Sequence, residues 1–60
     1  MPLSGRKLRK LAERLGWVFM RQKGSHMVMK RGSVTISIPD HKELATGTEH
    51  DLLREVRRPE

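Results

Sequence analysis

The absence of cysteine limits most strongly what these 60 residues can fold into. Without thiols the chain has no disulfides, no thiolate catalysis and no cysteine-based metal site. A chain of this length buries only about 60% of the surface that its unfolded form exposes, so its hydrophobic core is thin. We therefore expect residues 1–60 to form one domain around a single small core, which excludes barrels, doubly wound sheets and two-domain clefts.

An amphipathic helix is predicted near the start of the chain. Apolar residues recur there at the i, i+3, i+4, i+7 spacing of one helix face, at Leu8, Leu11, Ala12 and Leu15. Ser4 is suited to cap the N-terminus of this helix, and Gly16 is suited to end it. The opposite face is basic and carries Arg6, Lys7, Arg9, Lys10 and Arg14.

Three short strands separated by turns are predicted next, at residues 17–21, 26–30 and 33–38. The third strand alternates cleanly, with three β-branched residues expected to face the core: Val34, Ile36 and Ile38. In a core this thin, Trp17 and Phe19 are interpreted as core residues rather than as platforms for stacked bases. The methionines of the first two strands are interpreted as core fillers in the same way: Met20, Met27 and Met29.

A second, shorter helix is predicted after the polar stretch that follows Pro39. Thr48 and Asp51 have the spacing of a weak capping box, and Pro59 ends the helix. Its apolar side is formed by Leu52, Leu53 and Val56. The order helix, three strands, helix predicts an α+β fold in which both helices cover one face of an antiparallel sheet.

The positive charge is concentrated in the first half of the chain. Residues 1–31 contain nine basic residues and one acidic residue, a net charge of +8, whereas residues 32–60 have a net charge of −2. A segment with this much positive charge is expected to bind a polyanion, and nucleic acid is the commonest polyanion. No apolar run is long enough to span a bilayer, so we expect no membrane association and a cytoplasmic location.

The densest group of chemically useful side chains lies at the turn between the first two strands. Arg21 and Lys23 supply cations, Gly24 allows a ligand to approach the backbone, and Ser25 can donate to a phosphate oxygen. His26 follows at once, and an imidazole can accept and return a proton near neutral pH. These are the components that cleavage of an RNA phosphodiester requires, namely a base and positive charge for the developing oxyanion.

Two further histidines carry less weight. His41 could assist His26 or hold a phosphate, although an exposed loop histidine explains it as well. His50 lies in the first turn of the second predicted helix and is interpreted as a surface residue. The three histidines lack the spacing of a metal site, so no metal is expected.

Taken in order, several short motifs resemble those of the HicA family, the small toxins of bacterial and archaeal toxin–antitoxin pairs. The motifs are Leu15-Gly16-Trp17, Arg21-Gln22-Lys23-Gly24-Ser25-His26, Val34-Thr35-Ile36 running into Pro39, Glu43-Leu44, and Gly47-Thr48. The resemblance runs from about Leu3 to Val56 and covers nearly the whole chain. It departs from the family pattern at Asp40, where many members have a histidine, and at the C-terminus.

The resemblance implies a fold like that of the double-stranded-RNA-binding domain and cleavage of mRNA without the ribosome. It implies that His26, the histidine of the Gly-Ser-His motif, is the catalytic residue, and that no metal or organic cofactor is needed. The implied partners are mRNA and a HicB-type antitoxin that covers the active histidine, with higher hetero-oligomers allowed.

From the residues and the resemblance together, we expect a metal-independent endoribonuclease that uses His26. The residues expected to bind RNA are Arg6, Lys7, Lys10, Arg21, Lys23, Gly24 and Ser25, and either Arg21 or Arg31 is expected to support Lys23 in stabilising the developing charge. Two alternatives stay open: a non-catalytic RNA-binding module of the same fold, and a protein-interaction subunit whose basic face meets an acidic partner.

Overall fold

The computed structural model describes residues 2–60 and contains two helices and three strands. They are α1 (Gly5–Arg14), β1 (Val18–Lys23), β2 (His26–Arg31), β3 (Val34–Pro39) and α2 (Thr46–Arg57). The strands form one antiparallel sheet in the order β1-β2-β3, and both helices pack on the same face of it. The predicted α+β fold is therefore confirmed. No helix in the described part of the chain is long and apolar enough to span a bilayer.

Helix α1 is capped at both ends as its sequence predicts. The Ser4 hydroxyl oxygen accepts a hydrogen bond of 3.1 Å from the backbone N–H of the third helical residue. At the other end, Gly16 has a φ of +93°, and the backbone N–H groups of Gly16 and Trp17 donate to the carbonyls of Glu13 and Ala12. This ending is a Schellman motif, and it leads the chain directly from α1 into the core.

The core lies between the helices and the inner face of the sheet. Its buried residues are Leu8, Ala12, Trp17, Met27, Met29, Ile36, Ile38, Leu44 and Val56. The Trp17 indole N–H donates to the backbone carbonyl of Val56 at 3.1 Å, so the most polar atom of this core has a partner. That bond also joins the start of the sheet to the end of α2.

Both hairpins close with two-residue Gly-Ser turns, Gly24-Ser25 and Gly32-Ser33. Gly24 and Gly32 have φ values of +60° and +61°, and neither serine has a positive φ. This combination matches the type II′ turn, whose twist suits an antiparallel hairpin. The predicted four-residue turn at 22–25 was wrong, because β1 continues to Lys23.

A β-bulge in β1 decides which side chains face the core. Phe19 pairs with Met29 and Arg21 pairs with Val28, so Met20 is an extra residue without a partner. With strict alternation Arg21 would share the core side with Phe19. The bulge moves Arg21, and with it Lys23, to the outer face of the sheet that the helices leave uncovered.

Two residues predicted to be buried are half exposed. Val34 is 46% exposed, because it lies where β3 begins, beyond the cover of the helices. Met20 is 50% exposed, because the bulge places it away from the helices. Trp17, by contrast, is buried, and Phe19 packs against the core, as predicted.

Helix α2 begins three residues earlier than its sequence predicts, since a cap at Thr48 would make residue 49 the first of the helix. Its first residue is Thr46 and its N-cap is Ala45, which provides no side-chain hydrogen bond. The predicted capping role of Thr48 was wrong, since Thr48 already lies inside the first turn. The helix is therefore stabilised by burial of Val56, and of Leu44 just before it, and not by a capping side chain.

The N-terminus of α1 lies directly against the end of β3 at Gly5. The Gly5 N–H donates to the carbonyl of His41 at 2.9 Å, and a Cβ atom on Gly5 would lie 1.8 Å from the carbonyl oxygen of Pro39. Only glycine allows two backbones to approach this closely. The local sequence pattern does not predict this role of Gly5.

We expect Gly5→Ala to destabilise the fold by about 1–3 kcal/mol, the usual cost of forcing an extra carbon into a packed site. The free energy of unfolding in urea measures this. Gly47→Ala is the matched control, because Gly47 lies in α2 with nothing within 4 Å of an added Cβ. That change should leave stability equal or raise it by about 0.5–1 kcal/mol. Equal stability of wild type and Gly5→Ala would contradict the close approach.

Candidate active site

The outer face of the sheet is the open surface of the molecule on which cations collect. It carries Arg21, Lys23, His26 and Lys30, beside Val28, Thr35 and Ser37. None of the strand residues is acidic. Within residues 2–60, no ion pair involves any cation of this face. The face therefore offers unneutralised positive charge to an anion.

His26 lies in the first row of this face. It is exposed, and it pairs with Lys23 on β1 and Pro39 on β3. Residues directly opposite in an antiparallel pair have Cβ atoms about 4.5–5.5 Å apart, so His26 and Lys23 can reach one ligand atom together. Arg21 is the diagonal neighbour, at about 7–8 Å. The structure thus brings the imidazole of His26 together with two of the predicted phosphate-binding cations.

The turn before His26 is open to solvent. An added Cβ on Gly24 would meet nothing within 4 Å, so the space beside its backbone is open. The backbone carbonyls of both turn residues are held: Gly24 accepts from the Gln22 amide at 3.1 Å, and Ser25 accepts from the Asp40 N–H at 2.7 Å. The position of the turn is therefore set by neighbouring groups as well as by the hairpin.

Asp40 lies at the centre of these contacts. Its carboxylate accepts hydrogen bonds of 3.2 Å from the Arg6 guanidinium and from the Gln22 amide. The hydrogen bond from Arg6 holds the pKa of Asp40 below its ordinary value, with Gln22 and the nearby His41 acting in the same direction against partial desolvation. An Asp at this position joins α1, β1 and the end of β3.

The basic residues predicted on α1 do not share the face of His26. Arg6, Lys7 and Lys10 lie on the helix that covers the inner face, so they are on the other side of the sheet. Arg6 alone reaches towards the turn, through Asp40. The sequence-predicted cations therefore form two separate surfaces.

Two further arginines support the fold instead of facing an anion. Arg9 stacks on the Phe19 ring, 3.8 Å from its centroid, and lies 3.7 Å from the carboxylate of Glu13. Arg31 lies over the Trp17 ring at 4.7 Å and donates to the backbone carbonyls of Leu15 and Arg58.

Arg31 is therefore held at the opposite end of β2 from His26. Its side chain is only 12% exposed, and its guanidinium also lies 3.8 Å from the carboxylate of Glu60. Of the two residues expected to support Lys23, Arg31 is too far away, because it and Lys23 lie at opposite ends of the strand pairing, whereas Arg21 is on the same face as Lys23.

The other histidines lie apart from this row. His41 lines a shallow groove beside α1 with Arg6 and Lys42, and its backbone carbonyl is bonded to Gly5. His50 lies exposed on α2. Among the described residues, no three His, Asp or Glu side chains come close enough together to hold a metal ion.

A cleft of about 240 Å³ lies at the far end of the sheet, lined by Trp17, Val34 and Pro59 among others. Its four charged side chains are already paired, Arg31 with Glu60 and Arg58 with Glu55. It contains no histidine, so the side chains suited to chemistry lie on the open sheet face and not in this cleft.

A protein-family model described as the HicA toxin of bacterial toxin–antitoxin systems matches residues 5–57 of the 60. The chain belongs to the HicA toxin family. Searches of curated proteins and of solved structures find no match. The match covers every helix and strand, including the turn that precedes His26. A toxin of this family implies an antitoxin as its partner.

The lowered pKa of Asp40 predicts a loss of stability in acid. A carboxylate whose pKa is depressed by folding contributes stability that is complete above its unfolded pKa of about 3.9 and is lost as the pH falls through its folded pKa. The melting temperatures of wild type and Asp40→Asn should therefore differ at pH 6 and converge near pH 2. Asp51→Asn, at an exposed residue of α2, is the control and should show no such convergence. A difference that is the same at both pH values would contradict the role of the ion pair.

Proposed function

We propose that this HicA-family toxin is an endoribonuclease that cleaves mRNA on the outer face of its sheet, with His26 as the catalytic residue. The observation that carries the proposal is the position of His26 directly opposite Lys23, on an exposed face that has cations and no acid. A proton-transfer group beside free positive charge is what phosphodiester cleavage requires.

In the proposed reaction, His26 takes the proton from the hydroxyl oxygen that attacks phosphorus. The new phosphorus–oxygen bond forms as the bond to the leaving oxygen breaks, and the proton is returned to that leaving oxygen. Lys23 stabilises the negative charge that develops on the non-bridging oxygens. The reaction uses side chains alone and needs no cofactor.

The outer face also provides the contacts that hold the substrate. Arg21 and Lys30 extend the positive surface along the sheet from His26, while Gly24 and Ser25 leave the backbone of the turn accessible. Lys7 and Lys10 lie exposed on α1, across the sheet from His26, and form a second and more distant surface for RNA. Arg6 contributes less, because Asp40 already pairs with it.

The antitoxin partner in this proposal is of the HicB type and inhibits by covering His26. No helix covers the outer face of the sheet among the described residues, so one docked protein surface can block it. The complex acts in the cytoplasm, where the mRNA substrate is.

We expect His26→Ala to lower the rate of RNA degradation by about 10²–10⁴-fold, the usual contribution of one positioned acid or base. The change removes an exposed side chain, so the melting temperature should be nearly that of wild type. The measurement is cleavage of a defined mRNA by purified protein, with growth arrest on expression as its cellular counterpart.

His50→Ala is the matched control, because it removes the same side chain from an exposed position on α2. It should leave cleavage unchanged. Equal degradation by wild type and His26→Ala would contradict the proposal. RNA binding with no cleavage by the wild type would identify a binding module, and no RNA binding at all would favour a protein-interaction subunit.

The two basic surfaces are expected to differ in their contribution to RNA binding. In a His26→Ala background, which keeps the RNA intact, the pair Arg21→Gln and Lys23→Gln should weaken binding more than the pair Lys7→Gln and Lys10→Gln. Each lost phosphate contact should reduce the slope of log Kobs against log salt concentration by about 0.7 for single-stranded RNA.

Both pairs remove two positive charges, so the comparison separates position from net charge. Binding of a fluorescent oligonucleotide over a series of salt concentrations measures it. A larger loss from the α1 pair would move the proposed interface from the sheet to the helix.

A further inference from the structure

We propose that Gln22 and Asp40 are positioning residues that hold the Gly24-Ser25 turn, and through it His26, against the N-terminus of α1. The inference rests on the proposed function, because it concerns the placement of the proposed catalytic residue. We call this set of contacts the Asp40 brace: Arg6, Gln22, Asp40 and the carbonyls of Gly24 and Ser25.

The brace engages both backbone carbonyls of the turn that leads into His26. The Gln22 amide donates to the carbonyl of Gly24 at 3.1 Å, and the same amide donates to one carboxylate oxygen of Asp40 at 3.2 Å. The backbone N–H of Asp40 donates to the carbonyl of Ser25 at 2.7 Å. The turn is therefore held from both sides, by the Gln22 side chain of β1 and by the backbone of Asp40 just after β3.

The other end of the brace is anchored in α1. The second carboxylate oxygen of Asp40 accepts a hydrogen bond of 3.2 Å from Arg6. The carbonyl of the next residue, His41, accepts a hydrogen bond from the N–H of Gly5, where an added Cβ atom would clash with the backbone of β3. The charged groups that face Asp40 are thus Arg6 from α1 and His41 from its own loop.

The brace matters because His26 lies where the sheet ends. It is the first residue of β2, and its row is the last one of both strand pairings. Beyond that row the strands have no further residue pairs, and an added Cβ on Gly24 would meet nothing within 4 Å. A displacement of a catalytic group by about 1 Å lowers the reaction rate, so contacts that fix the turn matter more for catalysis at His26 than elsewhere on the face.

The test is Gln22→Ala, which removes both side-chain bonds of Gln22 without a change in charge. Gln22 is exposed, so the fold should keep its melting temperature. We expect kcat for RNA cleavage to fall by about tenfold with KM nearly unchanged, because the substrate contacts remain while the geometry of His26 loosens. The His26 ring resonances in NMR should shift or broaden, and the amides of Ser25 and His26 should exchange faster.

Ser33→Ala is a control for effects of any mutation near a hairpin turn. Ser33 lies in the other Gly-Ser turn, at the far end of the sheet from His26, in the position that corresponds to Ser25. It should change neither kcat nor the His26 resonances. Asp40→Ala is the second variant and should lower kcat in the same way. Glu13→Ala is its charge control, because Glu13 also pairs with an arginine of α1 but touches no turn residue.

The outcomes separate the brace from the proposed function. If the wild type degrades RNA and Gln22→Ala has the wild-type kcat and unchanged His26 resonances, the brace is wrong and the catalytic proposal stands. If the wild type does not degrade RNA, the catalytic proposal fails, and the NMR and exchange measurements alone decide whether the brace holds the turn. A loss of melting temperature with unchanged His26 resonances and exchange would assign Gln22 a structural role only and overturn the inference.

Discussion

The β-bulge at Met20 is the constraint that decides which side chains of β1 face the core and which face the open side of the sheet. A strand of strict alternation that buries Trp17 and Phe19 would also turn Arg21 and Lys23 towards the core, where an unpaired charge is costly. One extra residue reverses the side on which the second half of β1 presents its side chains. The same strand therefore packs aromatic side chains against the helices at its start and offers cations beside His26 at its end.

The N-terminus of α1 connects the turn that precedes His26 to the packed part of the molecule. Gly5 lets the helix backbone lie against the end of β3, and this contact brings Arg6 within reach of Asp40. Asp40 in turn touches the turn that precedes His26. In a chain whose core is this thin, backbone contact and a few polar bonds provide the rigidity that a larger protein obtains from buried side chains.

The positive charge of the chain serves two purposes. Arg9 and Arg31 cover the faces of Phe19 and Trp17 and are paired with carboxylates, so these two arginines extend the hydrophobic core outward. The cations of the outer sheet face have no such partners among the described residues and stay available to an anion. Net charge alone does not distinguish these two groups, and their surroundings do.

Local sequence determined the elements of the fold. Apolar periodicity predicts α1 and β3, Ser4 and Gly16 predict the ends of α1, and the motifs around His26 predict the family, because each of these signals depends on residues that are close together in the chain. Only the tertiary structure decided which cations share a face with His26. The bulge, the stacking of Arg31 on Trp17 and the reach of Asp40 to a turn fifteen residues earlier are contacts between distant segments. Strand register and packing set them, and neither is encoded in the spacing of one segment.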